Sequence, residues 1–198
     1  MNQHLFNETK IILDLCGGTG SWSKPYKDAG YDVRLITTLE QDVTDYIPPK
    51  EVYGILAAPP CTMFSLARTR AKTPRDFIAG MIPVNACIRI AFTSKPVFFV
   101  LENPVDLLSN YLRKAQYKFD PWWFGDPWTK KTALWGWFNL PKRKFYRIKD
   151  VMTKEQYKQC KINNRELPSI TDFIGSKQAA KRAITPQGFA QAFHEANK

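Results

Sequence analysis

"KIILDLCGGTGSWSKPYKDAG", residues 10–30, sets an apolar run against three glycines and then a segment of helical character. Lys10 to Cys16 reads as a buried strand, Gly17, Gly18 and Gly20 as a tight strand-to-helix turn, and the remainder as a helix ending at Gly30. The pattern repeats downstream. "YDVRLIT" (31–37), "VYGILAA" (52–58) and "KPVFFVLEN" (95–103) read as three more strands, and Thr73 with Pro74 reads as the N-cap and first residue of a long helix reaching about Lys95. Strands that are apolar throughout and alternate with helices belong to a mostly parallel sheet covered on both faces, so the fold expected is a doubly wound α/β domain.

Such sheets bind ligands outside the carboxyl ends of their strands. The unusual residues fall there: the glycine turn after the first strand, Pro59, Pro60 and Cys61 after the third, Glu102 and Asn103 after the fourth. A Pro-Pro-Cys taken alone is ordinary at a strand end, because prolines stop strands and a free cysteine packs as a small hydrophobe. Next to a carboxylate and a glycine turn in one crevice, the same thiol becomes a candidate nucleophile.

Composition narrows the function. The 198 residues carry a net charge of +11, and the excess is uneven: residues 130–198 hold 15 Lys and Arg against 5 Asp and Glu, while residues 1–129 hold 14 against 13. A basic segment interleaved with tryptophan and tyrosine suits a polyanion whose bases stack, which points to nucleic acid. Cys16, Cys61, Cys87 and Cys160 are too scattered for a zinc knuckle, and His4 and His194 are the only histidines, so no metal site and no histidine-based triad is expected. No early segment has the order of a signal peptide and the apolar runs fall short of a membrane span, so a cytoplasmic protein with no membrane partner is expected. The closing "ITPQGFAQAF" reads as a helix capped by Thr185 and opened by Pro186, with Phe189, Ala192 and Phe193 on one face.

The ordered set "DLCGGTG", "APPC", "LENP", "FGDPWTKKTALWG" and "ITPQGFAQAF" resembles the DNA cytosine-5 methyltransferases, particularly the short members of bacteriophage and prophage genomes. The resemblance implies a Rossmann-like methyltransferase fold that uses S-adenosylmethionine. It assigns Gly17, Gly18 and Gly20 to the cofactor turn, supported by Asp14. Cys16 stands where the family usually has Phe, which leaves adenosine packing to Trp22. Asp42 and Val43 match the pair that contacts adenine, Glu40 is the nearest candidate for the ribose ligand, and Pro59 borders the cofactor.

In the same resemblance Pro60 and Cys61 are the catalytic motif, and Glu102 with Asn103 its partner. Cytosine C5 is a poor nucleophile; adding a thiolate to C6 makes it enamine-like, and a glutamate at N3 stabilises the charge that develops in the ring. A duplex hides both faces of the target, so the base must be flipped out. The loop "TMFSLARTRAKT" after Cys61 is placed to close over it, with Arg68, Arg70 and Lys72 on phosphates. Where the family has Gln-x-Arg-x-Arg, this sequence has Trp128, Lys130 and Thr132, so Lys130 or Lys131 is left the cationic role and Thr132 offers no guanidinium fork.

One domain is expected, with a catalytic core over residues 1–137, a reduced basic target-recognition region over 138–182 and a terminal helix over 183–198 that packs back on the core. The 45 residues of the middle segment are few for a recognition domain, so relaxed sequence specificity is expected, with Trp122 and Trp123 available either to bases or to the core. Two other functions suit parts of this pattern: C5 methylation of a free deoxycytidine nucleotide, and a DNA-binding protein that has lost turnover. The phage-like resemblance points to a bacterial or phage-infected cytoplasm and a part in restriction-modification.

Overall fold

Strand β1 (Ile11–Leu15) occupies the interior of a six-stranded sheet and pairs in parallel with both β2 (Asp32–Ile36) and β3 (Val52–Ala57). The computed structural model describes residues 7–38, 41–68, 71–162, 168–175 and 177–198. Helix α1 (Lys24–Asp28) joins β1 to β2, and helix α2 (Phe77–Ser94) joins β3 to β4 (Phe98–Pro104), which lies parallel to β3. After the short α3 (Ser109–Leu112) come β5 (Tyr117–Phe119) and β6 (Thr132–Trp137), and these reverse the pattern. β6 runs antiparallel to both β4 and β5, giving the order β2-β1-β3-β4-β6-β5. The architecture is mixed α/β with a mostly parallel sheet.

The pleat sorts the core into two layers. Leu15, Ala57, Leu101 and Trp135 stand in one cross-strand row and pack with Val84, Cys87 and Ile90 of α2. Ile12, Leu56, Val100 and Leu134 point the other way, toward Trp22, Tyr26 and the last helix, α7 (Gln187–Ala196). Phe189 and Phe193 of α7 are fully buried, and Phe189 stacks on Phe119 with centroids 4.1 Å apart. Burying two such rings contributes about 1.5–3 kcal/mol each, which holds α7 on the sheet.

Three sequence expectations need correcting. α2 starts at Phe77, because Asp76 and not Thr73 caps it: the Asp76 carboxylate accepts from Ala79 N at 2.9 Å. α7 starts one residue late, at Gln187, with Pro186 as the N-cap residue. Helix α2, with 18 residues and a mean hydropathy of 1.5, is long and apolar enough to cross a membrane by those two measures, although no such run was expected. Its buried face lies on the sheet: Gly80, Val84, Ala86, Cys87, Ile90 and Ala91 are all in the core.

Three short helices, α4 (Lys154–Ile162), α5 (Ile170–Ile174) and α6 (Ala179–Ala183), punctuate the basic region. Its first part is fastened to the β5 end of the sheet. Lys144 and Phe145 both donate their backbone N–H to Trp123 O, at 2.9 and 3.0 Å. The Arg143 guanidinium lies 4.6 Å from the Trp122 ring centre and 4.2 Å from that of Trp123.

Candidate active site

The carboxyl ends of β1, β3 and β4 open onto one cavity of about 330 Å³. Its walls include the glycine turn, Ala58 to Cys61, Glu102 and Lys130. The pleat explains the carboxylates. Even-numbered residues of β1 and β4 share the Trp22 face, so Asp14 and Glu102 extend the apolar columns of Ile12 and of Phe98 and Val100 to the rim.

Asp14 is fully buried. Its Oδ2 accepts from Ser23 Oγ at 2.5 Å, while Oδ1 has no partner among the described residues. Burial raises its pKa to about 6, against a smaller lowering by the Ser23 bonds. The turn above is drawn tightly over this carboxyl: a Cβ at Gly17 would sit 2.3 Å from Asp14 Cγ. Gly18 and Gly20 have φ of 56° and 69°, which glycine adopts at no steric cost.

Cys61 and Glu102 face each other electrostatically. Burial and the Glu102 charge push the Cys61 thiol up, and Lys130 pulls it down. Burial raises Glu102 as well, again opposed by Lys130. Glu102 makes no hydrogen bond to the described residues, so both its oxygens are free for a ligand. Asn103 is 1% exposed and points away from Glu102 into the α2 layer, where its Nδ2 donates to Pro59 O at 3.0 Å. That bond ties the Pro59–Pro60–Cys61 corner to the end of β4. Pro59 is buried and Pro60 exposed, so the corner is stiff on one side and open on the other.

The other residues singled out in the sequence separate into groups. Cys16 lines the cavity, and so does Trp22, which is 2% exposed, has no partner for its indole N–H among the described residues and packs edge-on against Phe193. Asp42 and Val43 do not line it: Asp42 caps Thr44 through its N–H and hydroxyl, and Val43 is buried on the α2 side. Asp42 still lies close enough to Cys16 to act on its thiol. Glu40 and Arg70 lie outside the described residues. Arg68 donates to Thr73 Oγ1 at 2.8 Å, and Lys72 is exposed.

Two expectations about this region change. Thr132 is 3% exposed and its hydroxyl donates to Lys130 O, so its side chain is turned into the protein rather than out toward a DNA strand. The loop after Cys61 is pinned over its first residues. Phe64 is fully buried and its carbonyl accepts from Leu107 N, while Arg75 donates to the carbonyls of Met63 and Ser65. Any closure over a base must therefore come from beyond Ser65.

The sequence leaves Lys130 or Lys131 the cationic role toward DNA. The structure separates them: Lys131 is exposed, whereas Lys130 enters the cavity, its backbone N–H fixed to Asp120 Oδ1 at 3.0 Å. The wall formed by Ala180, Ala183, Ile184 and Thr185 was not foreseen. Ser21 Oγ donates to Thr185 O at 2.9 Å and holds that wall against the glycine turn. The only advance signal was the closing "ITPQ". Among the described residues no three His, Cys, Asp or Glu side chains converge as a metal site.

Comparison with known proteins adds one finding. No family model matches the chain. Over 134 aligned residues it is 31% identical to the Type II methyltransferase M.DdeI of Desulfomicrobium norvegicum, an alignment that covers 55% of this chain and 31% of that protein. The chain thus matches less than a third of the length of that relative. The similarity supports kinship with methyltransferases and is consistent with the sheet order and the cavity.

Proposed function

We propose that this chain is an S-adenosylmethionine-dependent methyltransferase that methylates cytosine at C5 in DNA, on a Rossmann-like, doubly wound domain. The observation that carries this reading is the convergence of the Cys61 thiol, the Glu102 carboxyl and the glycine turn on one cavity.

The cavity residues fit the cofactor. Asp14 Oδ1, buried without a partner among the described residues, is suited to the cofactor's ammonium group, and Gly17 and Gly18 line the cavity at the turn, which Gly20 closes from outside it with its N–H and carbonyl bonded to Gly17 and Lys24. Cys16, Trp22 and Pro59 supply surface for its less polar part. When bound, S-adenosylmethionine supplies an electrophilic methyl group on a sulfonium.

The chain's own groups prepare the base. Cys61, once ionised, adds to cytosine C6 and breaks the C5–C6 double bond, placing electron density on C5. Glu102, whose hold on a proton burial strengthens, shares a proton with N3 and neutralises the charge that arrives there. Lys130 sits beside both and favours the thiolate. After C5 is methylated, its proton passes to water, the C5–C6 double bond re-forms with expulsion of the Cys61 thiolate, and N3 returns its proton to Glu102. A base within a stacked duplex cannot present C6 and C5 to such a cavity, so the target is flipped out. The basic residues 138–182, with Arg68, Lys72 and Lys131, serve the phosphates. Because this segment is short, sequence specificity is relaxed. The likeness to a Type II methyltransferase supports a part in restriction-modification.

The test uses radiolabelled S-adenosylmethionine with duplex DNA, single-stranded DNA and dCMP offered separately. Label is expected in DNA and absent with Cys61→Ala, and 5-fluorocytosine DNA is expected to trap a covalent adduct on Cys61. Label in dCMP alone would move the substrate to a free nucleotide. Salt-sensitive DNA binding with no transfer to any substrate would refute the enzyme.

A further inference from the structure

The sequence leaves Trp122 and Trp123 to bases or to the core, and the structure gives them a third use. Both belong to a turn of 3-10 helix, Pro121–Phe124, that follows β5. Trp123 packs against the Trp22 layer, and the two indoles stand edge to face with centroids 6.2 Å apart. Together they carry Arg143, whose guanidinium also lies 4.9 Å from the ring centre of Tyr146. Arg143 is fixed from within its own segment: Nε donates to Phe145 O at 2.6 Å and Nη2 to Tyr146 O at 3.2 Å. Among the described residues it pairs with no carboxylate, so its charge is not neutralised.

Tyr146 is the outermost member of this group. It is 73% exposed, more than any other aromatic side chain among the described residues, so the contact with Arg143 leaves most of its ring bare. Arg143 holds it at two points, the ring and the carbonyl, and a side chain fixed in advance loses less entropy when a ligand arrives. Charge surrounds it. Residues 142–149, Lys-Arg-Lys-Phe-Tyr-Arg-Ile-Lys, include five cations and no carboxylate, and Lys142, Lys144 and Lys149 are exposed. The acids facing them form surface pairs that a phosphate can replace: Glu195 lies 3.9 Å from Lys144, and Asp150 takes Arg147 at 3.0 Å. A bare flat ring among cations complements a phosphate chain that carries flat bases. Duplex bases stack on one another and present only their edges, so a ring held at a surface finds a base face in an unpaired nucleotide.

We propose that Tyr146, backed by Arg143 and the two tryptophans, is a stacking platform for an unpaired base, and that residues 142–149 grip single-stranded DNA around it. Every base has a π-face, so the platform accepts any sequence. The proposal deepens the reading of the basic region as a DNA surface and rests on it, but not on methyl transfer.

The test follows binding of the full chain, at fixed low salt, to an oligodeoxythymidylate of about 12 nucleotides carrying one 2-aminopurine, and to a blunt hairpin duplex. The single strand is expected to lose 2-aminopurine fluorescence on binding. Tyr146→Leu, which keeps apolar bulk without a flat face, is expected to abolish that quench and to weaken the single strand about 5- to 150-fold, with the hairpin changed by less than about twofold. Tyr146→Phe should behave as wild type. Irradiation with a 5-iodouracil strand is expected to cross-link Tyr146, mapped by mass spectrometry. Equal losses on strand and hairpin in Tyr146→Leu, an unchanged quench in that variant, or a tighter Tyr146-dependent hold on single-stranded RNA would each overturn the platform. If DNA binds without quench or cross-link, the platform falls and the DNA reading stands; if neither DNA binds, both fall. Quench and cross-link without methyl transfer to any substrate would keep the platform and remove the enzyme.

Discussion

At the scale of single residues, three ionisable groups decide what the cavity does. Asp14 has its pKa raised to about 6 by burial, so the folded state holds the proton more firmly than the unfolded chain. Its contribution to stability is most favourable at acid pH and is lost as pH rises from about 4 to about 6, leaving a penalty of roughly 3 kcal/mol at neutral pH. Asp14→Asn is therefore expected to raise stability at pH 7.5 by about 1–3 kcal/mol in urea unfolding, a gain that fades toward pH 4. The same variant should weaken S-adenosylmethionine binding, and wild-type affinity should fall below pH 6 as the carboxylate is protonated. For Cys61 the signs of its neighbours differ: Glu102 raises the thiol and Lys130 lowers it. The pH midpoint of Cys61 alkylation by iodoacetamide is thus expected to move down in Glu102→Gln and up in Lys130→Met. Methyl transfer should fall by about 10²–10⁴-fold in Glu102→Gln, since the amide cannot exchange a proton with N3.

Elements show why some of this was legible and some was not. β1, β3 and β4 were readable because each carries a nearly unbroken apolar run, which in a parallel sheet buried on both faces is the pattern physics demands. β2, Asp-Val-Arg-Leu-Ile at the sheet's edge, was readable by the alternation of its charged and apolar residues. β5 has only three residues, Tyr-Lys-Phe, and β6 follows directly on the charged "TKK", so neither carries that signal. The strand ends that meet at the cavity could be foreseen from strand order. The wall from α6 and the placing of Lys130 depend on contacts across long stretches of sequence, which no local pattern encodes. The start of α2 was misplaced because Thr-Pro is a good capping pair, yet Asp76 lies closer and bonds the free N–H of Ala79. One inter-element bond is open to a direct check. Asn103→Ala removes the donor that ties β4 to Pro59 and leaves a buried carbonyl unpaired, a loss of about 1–3 kcal/mol expected in thermal unfolding. Its kcat should drop further than that of a surface control such as Asn110→Ala, because the Cys61 corner loosens.

For the molecule as a whole, charge and architecture divide along the same line. The sheet and its two apolar layers come mainly from the first 137 residues, and most of the positive excess, +8 of the +11, follows them. The two parts are joined where Arg143 lies on Trp122 and Trp123, so a basic arm is seated on the sheet's edge. Binding to DNA through such an arm releases counterions. If about four phosphates are contacted, affinity should fall roughly a hundredfold between about 50 and 200 mM salt, measurable by fluorescence anisotropy with a short duplex. Lys142→Ala with Lys144→Ala should flatten that salt dependence by about one to two units of slope without changing sequence preference.

The last helix also bears on how the chain comes into being. α7 supplies the rings that close the Trp22 face, and Asn197 is bonded to both backbone groups of Asn139, 58 residues earlier. A ribosome delivers these residues after everything they cover. Throughout synthesis Ile12, Leu56 and Val100 wait uncovered, while the α2 face, complete by residue 137, can already consolidate. The nascent chain is thus a half-closed sheet with one greasy side, and its dependence on chaperones should end abruptly as residues 187–197 leave the exit tunnel.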